Sequence, residues 1–181
     1  MMWLFLQAHP ELFRDIGSLL HFAPEPWLRA RMKGLLGSKR YVTADLNPEG
    51  VDLSLDIADI DLPNAAFDAV ICSHVLEHVP DDRRAMAELR RVVAEGGWCL
   101  VMVPLDTSRA ETYEDATVTA PDDREAHFWQ HDHLRLYAPD IEQRLSDAGF
   151  SVEVIRPSDL VSADRAVDAC LLGHDWVFLC R

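Results

Sequence analysis

Residues 67–104 read FDAVICSHVLEHVPDDRRAMAELRRVVAEGGWCLVMVP, and this stretch decides the fold. Two short apolar runs, rich in Val, Ile and Leu and without strict alternation, flank a segment whose apolar residues recur at spacings of three and four. Such runs are typical of strands buried on both faces of a parallel sheet, and the spacing between them is typical of an amphipathic helix. The stretch therefore predicts one strand-helix-strand unit with parallel strands.

The helix of this unit carries both a start and a stop signal. Pro80 and Asp81 precede its first turn, and Gly96-Gly97 follows its last apolar residue. The expected inward stripe is Ala85, Met86, Leu89, Val92 and Val93. Because open α/β sheets bind ligands beyond the carboxyl ends of their strands, the loop 73–80 is expected to lie at the binding edge.

The rest of the chain supplies further strands and helices of the same kind. The predicted strands are Ser18–Phe22, Arg40–Asp45, 51–57, 151–155 and 176–180; the predicted helices are 9–16, Pro26–Leu36, 138–148 and a short one near 166–172. With the two strands of the central unit this makes seven strands in an open α/β sheet. We expect one domain over residues 1–181, because this length can bury a sizeable core.

Composition limits the partners and the compartment. The net charge of −14 argues against a nucleic acid or an anionic membrane as the main partner, because both attract clustered Lys and Arg. The four cysteines have no metal-type spacing, which favours free thiols in a reducing compartment. Residues 1–6 are apolar but too short for a membrane span and lack the basic flank of a signal peptide. We expect a cytoplasmic protein, either a monomer or a homodimer.

Asp45 is the first candidate for a binding residue. It ends the second predicted strand, 20 positions after Glu25. In nucleotide-binding α/β folds a carboxylate at this place accepts hydrogen bonds from both ribose hydroxyls. The alternative is that Asp45 only starts a turn with Asn47-Pro48.

Several segments, in this order and at this spacing, resemble the class I S-adenosylmethionine-dependent methyltransferases, in particular the methyltransferase type 11 group. They are 41–45, 56–63, Phe67-Asp68, LEHV at 76–79, and 88–92 with Gly96-Gly97, with a looser match at 145–150. The resemblance implies a Rossmann-like, doubly wound, seven-stranded sheet, mostly parallel with an antiparallel last strand. It also implies S-adenosylmethionine as cofactor and methyl transfer as the reaction.

The resemblance further implies which residues bind the cofactor. Asp45 and Leu46 would contact the ribose side, Asp56 and the backbone at Ile57 the adenine amino group, and Ser73 and His74 the methionine end. For Glu77 and His78 a structural role is as well supported as a chemical one.

The first loop departs from the family pattern. Family members usually carry Gly-x-Gly after the first strand, where the missing side chains let the backbone approach the ligand. Residues 20–25 read LHFAPE instead. One interpretation is an adjusted cofactor site formed by His21, Ala23, Pro24 and Glu25, with Glu25 meeting the methionine ammonium. The other is a degenerate pocket in a non-catalytic binding or regulatory module.

Residues 107–137 are long for a connection, acidic in their first part, and predicted to form a lid or substrate-side insertion. They end in HFWQHDHLRLY at 127–137, for which three hypotheses remain open. His131 or His133 could be a general base, with Arg135 and Tyr137 binding substrate. His127, His131 and His133 could hold a metal with Asp132, although the spacing matches no strong motif.

The third hypothesis is a structural network pinning the loop, with Arg135 and Tyr137 as partners. We predict the catalytic and substrate-binding roles and no metal. The predicted acceptor is a small molecule, although an acidic surface would also suit a basic protein.

Overall fold

The computed structural model describes residues 1–168, 171 and 173–181. Its strands are β1 (Ser18–Phe22), β2 (Arg40–Asp45), β3 (Leu53–Ser54), β4 (Phe67–Ser73), β5 (Val93–Met102), β6 (Tyr113–Glu114), β7 (Arg135–Leu136), β8 (Val152–Ile155) and β9 (Val177–Cys180). Its α-helices are α1 (Met2–Ala8), α2 (Pro26–Leu36), α3 (Asp82–Val92), α4 (Pro121–Phe128), α5 (Ile141–Asp147), α6 (Pro157–Leu160) and α7 (Ala163–Asp168). Short 3₁₀ helices lie at Pro10–Phe13 and Leu76–His78.

Seven strands form one sheet in the order β3-β2-β1-β4-β5-β9-β8. The strands from β3 to β5 in this order pair in parallel, whereas β9 is antiparallel to both of its neighbours. The predicted seven-stranded, mostly parallel sheet with an antiparallel last strand is therefore confirmed. The chain order reverses between β1 and β4, and such a switch point opens a crevice at the carboxyl edge of the sheet.

The sheet is covered by helices on both faces, which confirms the doubly wound prediction. Alternate residues of β4 face opposite sides: Val70 and Cys72 join the cluster that contains α3, and Ala69 and Ile71 join the cluster that contains α2. The predicted apolar stripe of α3 is buried in the first of these clusters. Burial on both faces explains why β4 reads as a continuous apolar run.

Strand β3 is much shorter than the predicted 51–57. Only Leu53 and Ser54 pair with the sheet, opposite the last two residues of β2. Beyond them the chain turns, with the Ala58 amide donating to the Asp56 carboxylate at 2.8 Å. The alternation that suggested a longer strand arises because Leu55 and Ile57 both point into the core.

The prediction that Gly96-Gly97 stops the helix is wrong. Helix α3 ends at Val92, and both glycines lie inside β5, where the pairing with β4 shifts register. Gly96 has a φ of 74°, and a Cβ on Gly97 would lie 2.4 Å from the carbonyl oxygen of Asp68. The glycines are thus needed for a strand irregularity and for close backbone approach.

The chain termini and long connections also differ from the prediction. Residues 2–8 form α1, which was not predicted and which buries Met2, Phe5 and Leu6, whereas the helix predicted at 9–16 is the short 3₁₀ turn Pro10–Phe13. Helix α5 is shorter at both ends than the predicted 138–148. The helix expected near 166–172 extends into residues outside the described part; α7 ends at Asp168.

The structure describes three of the four cysteines. Cys72, Cys99 and Cys180 are buried and free, whereas Cys170 lies outside the described residues. None of the described helices combines the length and the apolar character needed to cross a membrane.

Candidate functional site

A cavity of about 550 Å³ lies at the carboxyl ends of β1, β2 and β4. Its volume is in the range of pockets that enclose small ligands and cofactors. Its lining consists of Phe22, Ala23, Asp45, Leu46, Leu55, Asp56, Ile57, His74, Val75, His78, Val79, Pro80 and Asp132. The cavity therefore lies at the switch point where an α/β sheet of this order places its ligand.

Two carboxylates line one side of the cavity. Asp45 accepts a hydrogen bond from the Asn47 amide at 2.9 Å, and Asp56 accepts one from the Ala58 amide at 2.8 Å. Each bond uses the Oδ1 atom and fixes the carboxylate against its own turn. Asp45 thus does start a turn with Asn47, and the same hydrogen bond orients its carboxylate at the cavity wall.

The first loop reaches the cavity through Ala23. Its amide donates to the Ala44 carbonyl at 2.8 Å, and its φ of 42° lies in the left-handed region that favours glycine. A non-glycine residue held there is strained, and such strain is concentrated at ligand sites. The loop therefore has a glycine-like backbone conformation although it lacks glycine.

A buried polar network lies behind this loop. His21 is fully buried, with Nδ1 2.8 Å from the Tyr41 hydroxyl, and burial lowers the pKa of His21 to about 3. Ser73 donates to Glu25 Oε1 at 3.4 Å, while Glu25 Oε2 lies 4.0 Å from His21 Nε2. Neither Glu25 Oε2 nor His21 Nε2 has a hydrogen-bond partner among the described residues. One carboxylate oxygen of Glu25 is therefore buried without a hydrogen-bond partner among the described residues, although Glu25 itself lies outside the cavity lining.

The loop after β4 contributes imidazoles to the cavity. His74, with a φ of 54°, has Nδ1 3.3 Å from Glu77 Oε1, and this hydrogen bond raises the pKa of His74. His78 is half-buried, and its Nδ1 lies 3.3 Å from a carboxylate oxygen of Asp132. The sequence did not assign His78 or Asp132 to the binding site. The LEHV motif at 76–79 was the available signal for His78.

The predicted catalytic histidines lie in different surroundings. His133 is buried, donates from Nδ1 to the Phe128 carbonyl at 2.8 Å, and packs edge-on against His78 with ring centres 4.8 Å apart. Burial lowers the pKa of His133. His131 is exposed and outside the cavity lining, and His127 on α4 contacts the Tyr113 hydroxyl at 2.7 Å.

The predicted substrate residues Arg135 and Tyr137 are buried away from the cavity. The Arg135 guanidinium donates to the carbonyl oxygens of Leu76, Val79 and Pro80. The Tyr137 hydroxyl donates to Asp82 at 2.8 Å. These contacts are of the kind expected for the structural-network hypothesis, and a substrate-binding role for either side chain stays a prediction.

The cofactor residues suggested by the resemblance fall into two groups. Six line the cavity: Ala23, Asp45, Leu46, Asp56, Ile57 and His74. Four lie outside the lining: His21, Pro24, Glu25 and Ser73. Their roles in binding stay predictions, but the fold brings residues from three separate strand ends to one cavity.

The order of the seven strands and the cavity at the switch point are those of the class I methyltransferase fold. Residues 9–154 match the family described as "Methyltransferase domain", which covers most of the chain. The chain therefore belongs to the methyltransferase domain family, whose cofactor is S-adenosylmethionine.

Particular relatives agree with this assignment. An uncharacterized methyltransferase of Mycobacterium tuberculosis is 42% identical over 50 residues, which are 28% of this chain and 25% of that protein. The match thus spans about a quarter of the relative's length. An S-adenosylmethionine-dependent methyltransferase from Mesorhizobium loti has a similar structure, with a TM-score of 0.65, 15% identity, and coverage of 98% of this chain and 96% of that chain.

A second solved structure extends the comparison to a complex. The 1,6-didemethyltoxoflavin-N1-methyltransferase of Burkholderia thailandensis, solved with 1,6-didemethyltoxoflavin and S-adenosylhomocysteine, gives a TM-score of 0.60 at 15% identity. The match covers 98% of this chain and 74% of that chain. At these identities the likeness establishes the fold.

Proposed function

We propose that the chain transfers the methyl group of S-adenosylmethionine to a nucleophile on a small molecule. The observation that carries this proposal is the position of Asp45, at the tip of β2 and at the wall of the cavity, across the switch point from His74. A carboxylate there is suited to the two hydroxyls of a ribose. Membership of the methyltransferase domain family supports the reaction class.

The residues around the cavity suit the rest of the cofactor. Asp56 and the backbone at Ile57 would hold the adenine amino group, and the 73% exposed Leu46 would cover the ring. Glu25 lies outside the cavity lining, and we keep it as the proposed partner of the methionine ammonium because one of its buried carboxylate oxygens has no hydrogen-bond partner among the described residues. The bound cofactor supplies an activated methyl group, so the chain has mainly to position the acceptor.

Segment 107–137 would act as the lid or substrate-side insertion. Asp132 brings it to the cavity wall, and β6 and β7 pair with each other to give it structure of its own. A cavity partly closed by such a segment suits a small acceptor better than an extended polymer. The exposed His131 and the buried His133 remain the proposed candidates for a general base.

Calorimetric titration with S-adenosylmethionine and S-adenosylhomocysteine tests the cofactor site. Replacing Asp45 with Ala should weaken both affinities at least tenfold, because each lost hydrogen bond to a charged group contributes about 1.5–3 kcal/mol. Asp61→Ala is the matched control, since Asp61 is an exposed aspartate of a nearby loop outside the cavity lining. It should bind like the unmodified chain.

Two results would contradict the proposal. Equal affinity in the Asp45→Ala variant would remove the ribose assignment. Binding of NAD in place of S-adenosylmethionine would move the chain to another class of α/β enzyme.

A further inference from the structure

Three side chains of metal-binding type meet beside the cavity. They are Glu77, His78 and His133, and one ligand atom from each lies within 4.8 Å of the other two. We propose that this group, the Glu-His-His cluster, binds a divalent transition-metal ion. The cluster differs from the metal hypothesis drawn from the sequence, which grouped His127, His131 and His133.

Glu77 is the strongest sign that a cation belongs here. Its side chain is 1% exposed, and Oε1 lies 3.3 Å from His74 Nδ1. Its Oε2 atom is buried and has no hydrogen-bond partner among the described residues. A buried carboxylate oxygen without a partner is costly, and a bound cation offsets that cost.

Both imidazoles are oriented as metal ligands usually are. The Nδ1 atom of His133 donates to the Phe128 carbonyl at 2.8 Å, and Nδ1 of His78 lies 3.3 Å from the Asp132 carboxylate. Metal-bound histidines typically use one ring nitrogen for such a carbonyl or carboxylate and the other for the metal. The arrangement leaves Nε2 of each ring as the ligand atom.

The two segments that carry the cluster are held together without any metal. Leu134 N donates to the Glu77 carbonyl at 2.9 Å, and Arg135 donates to the carbonyls of Leu76 and Pro80 on either side. These bonds join the loop after β4 to the segment before β7, which is distant from it in sequence. The ligand positions are thus set by the backbone before an ion arrives, as an effective site requires.

The donor set indicates the kind of metal. Two imidazole nitrogens and one carboxylate oxygen suit Zn²⁺ and its neighbours such as Co²⁺, whereas Mg²⁺ and Ca²⁺ prefer all-oxygen sites. Three protein ligands leave a coordination position open, which is typical of catalytic rather than structural zinc sites. Because His78 also lines the cavity, an ion in the cluster would be reachable from it. Once bound to an ion, His133 would no longer serve as a base, and His131 would remain the candidate.

The test uses the full chain stripped of metal with a chelator, without S-adenosylmethionine. Titration with Co²⁺ should produce visible absorption bands that saturate at one ion per chain, and Zn²⁺ should abolish them. Glu77→Gln, His78→Ala and His133→Ala should each weaken Co²⁺ binding at least tenfold, because even partners of metal ligands change affinity about 10–100-fold. His127→Ala is the control: His127 is an exposed histidine of the same segment, and its loss should not change the affinity.

Either of two results overturns the proposal: no saturable Co²⁺ bands in the unmodified chain, or His78→Ala binding Co²⁺ as tightly as the unmodified chain. The half-buried His78 is decisive, because Glu77→Gln alters a buried position and could fail to fold. Circular dichroism identifies a variant that does not fold. Since no cofactor is present, the result is independent of the Asp45 test of methyl-donor binding.

Discussion

At the scale of single residues, the buried His21 behind the first loop makes the stability of the folded chain depend on pH. Its pKa is about 3 in the folded chain against about 6.5 when exposed, because burial disfavours the imidazolium. The unfolded chain therefore takes up a proton at His21 below pH 6.5, whereas the folded chain stays neutral there. The stability that depends on neutral His21 is present above pH 6.5 and is lost as the pH falls towards 3.

Replacing His21 with Asn should flatten this pH dependence. The amide of the His21→Asn variant would keep a polar atom near Tyr41 but cannot titrate, so the unmodified chain should lose about 2 kcal/mol more than the variant between about pH 7 and pH 5. Urea unfolding at several pH values measures both curves, and carboxylates common to both chains cancel in the difference. Parallel curves would show that His21 has the same pKa in the folded and unfolded chains, which would contradict the effect of burial inferred here.

Some site residues were predictable from sequence and others were not. Asp45 ends a buried run, so the rule that ligands bind at strand ends predicts its place at the cavity, whereas the place of Asp56 was implied by the family resemblance. Glu77 and His78 belong to the LEHV motif at 76–79, but the metal site proposed for them also needs His133. No periodicity relates that distant residue to the motif, because tertiary backbone hydrogen bonds bring them together.

At the scale of elements, the irregular pairing of β4 with β5 explains Gly97. A Cβ at Gly97 would lie 2.4 Å from the Asp68 carbonyl and 2.9 Å from that of Ala94, and both are backbone atoms that cannot move away cheaply. Gly97→Ala should therefore lower the free energy of unfolding by about 1–3 kcal/mol or more, the usual cost of overpacking. Chemical denaturation measures this change.

Gly34→Ala is the matched control for Gly97→Ala. Gly34 lies inside α2, is exposed, and has no atom within 4 Å of the position of an added Cβ. Alanine there should raise stability by about 0.5–1 kcal/mol through helix propensity. Equal effects of the two substitutions would contradict the close approach inferred at Gly97.

The success of element prediction followed how far each element is determined locally. Strands β1 and β2 match their predicted bounds because buried runs between clear turn signals identify them. The length of edge strand β3 was overestimated because the alternation of apolar and polar residues continues into a turn whose apolar side chains also point inward. Helix α1 has no capping side chain, and two-residue strands such as β6 exist only through distant pairing, so neither left a local signal.

At the scale of the whole molecule, a largely buried charged network joins segment 107–137 to helices α3 and α5. Asp82, at the start of α3, accepts from Tyr137 at 2.8 Å and from Arg144 at 3.0 Å, and Glu114 of β6 contacts both Arg135 and Arg144. Asp82 and Arg135 are buried, Arg144 is partly buried and Glu114 is exposed, so the two buried groups depend most on the opposite charges beside them. The network makes the position of the proposed lid depend on residues of three separate elements.

Replacing Arg135 with Met should loosen this attachment and lower the free energy of unfolding by about 3–5 kcal/mol, because three loop carbonyls lose their donor at about 1–3 kcal/mol each, whereas Asp82 keeps Tyr137 and Arg144. Amide hydrogen exchange should accelerate within 76–80 and 107–137 more than in β1 or β4. Arg181→Met is the control, since the exposed pair of Arg181 with Glu153 contributes at most about 1 kcal/mol. Uniformly faster exchange across the sheet would mean that Arg135 supports the core as a whole and does not specifically hold the proposed lid.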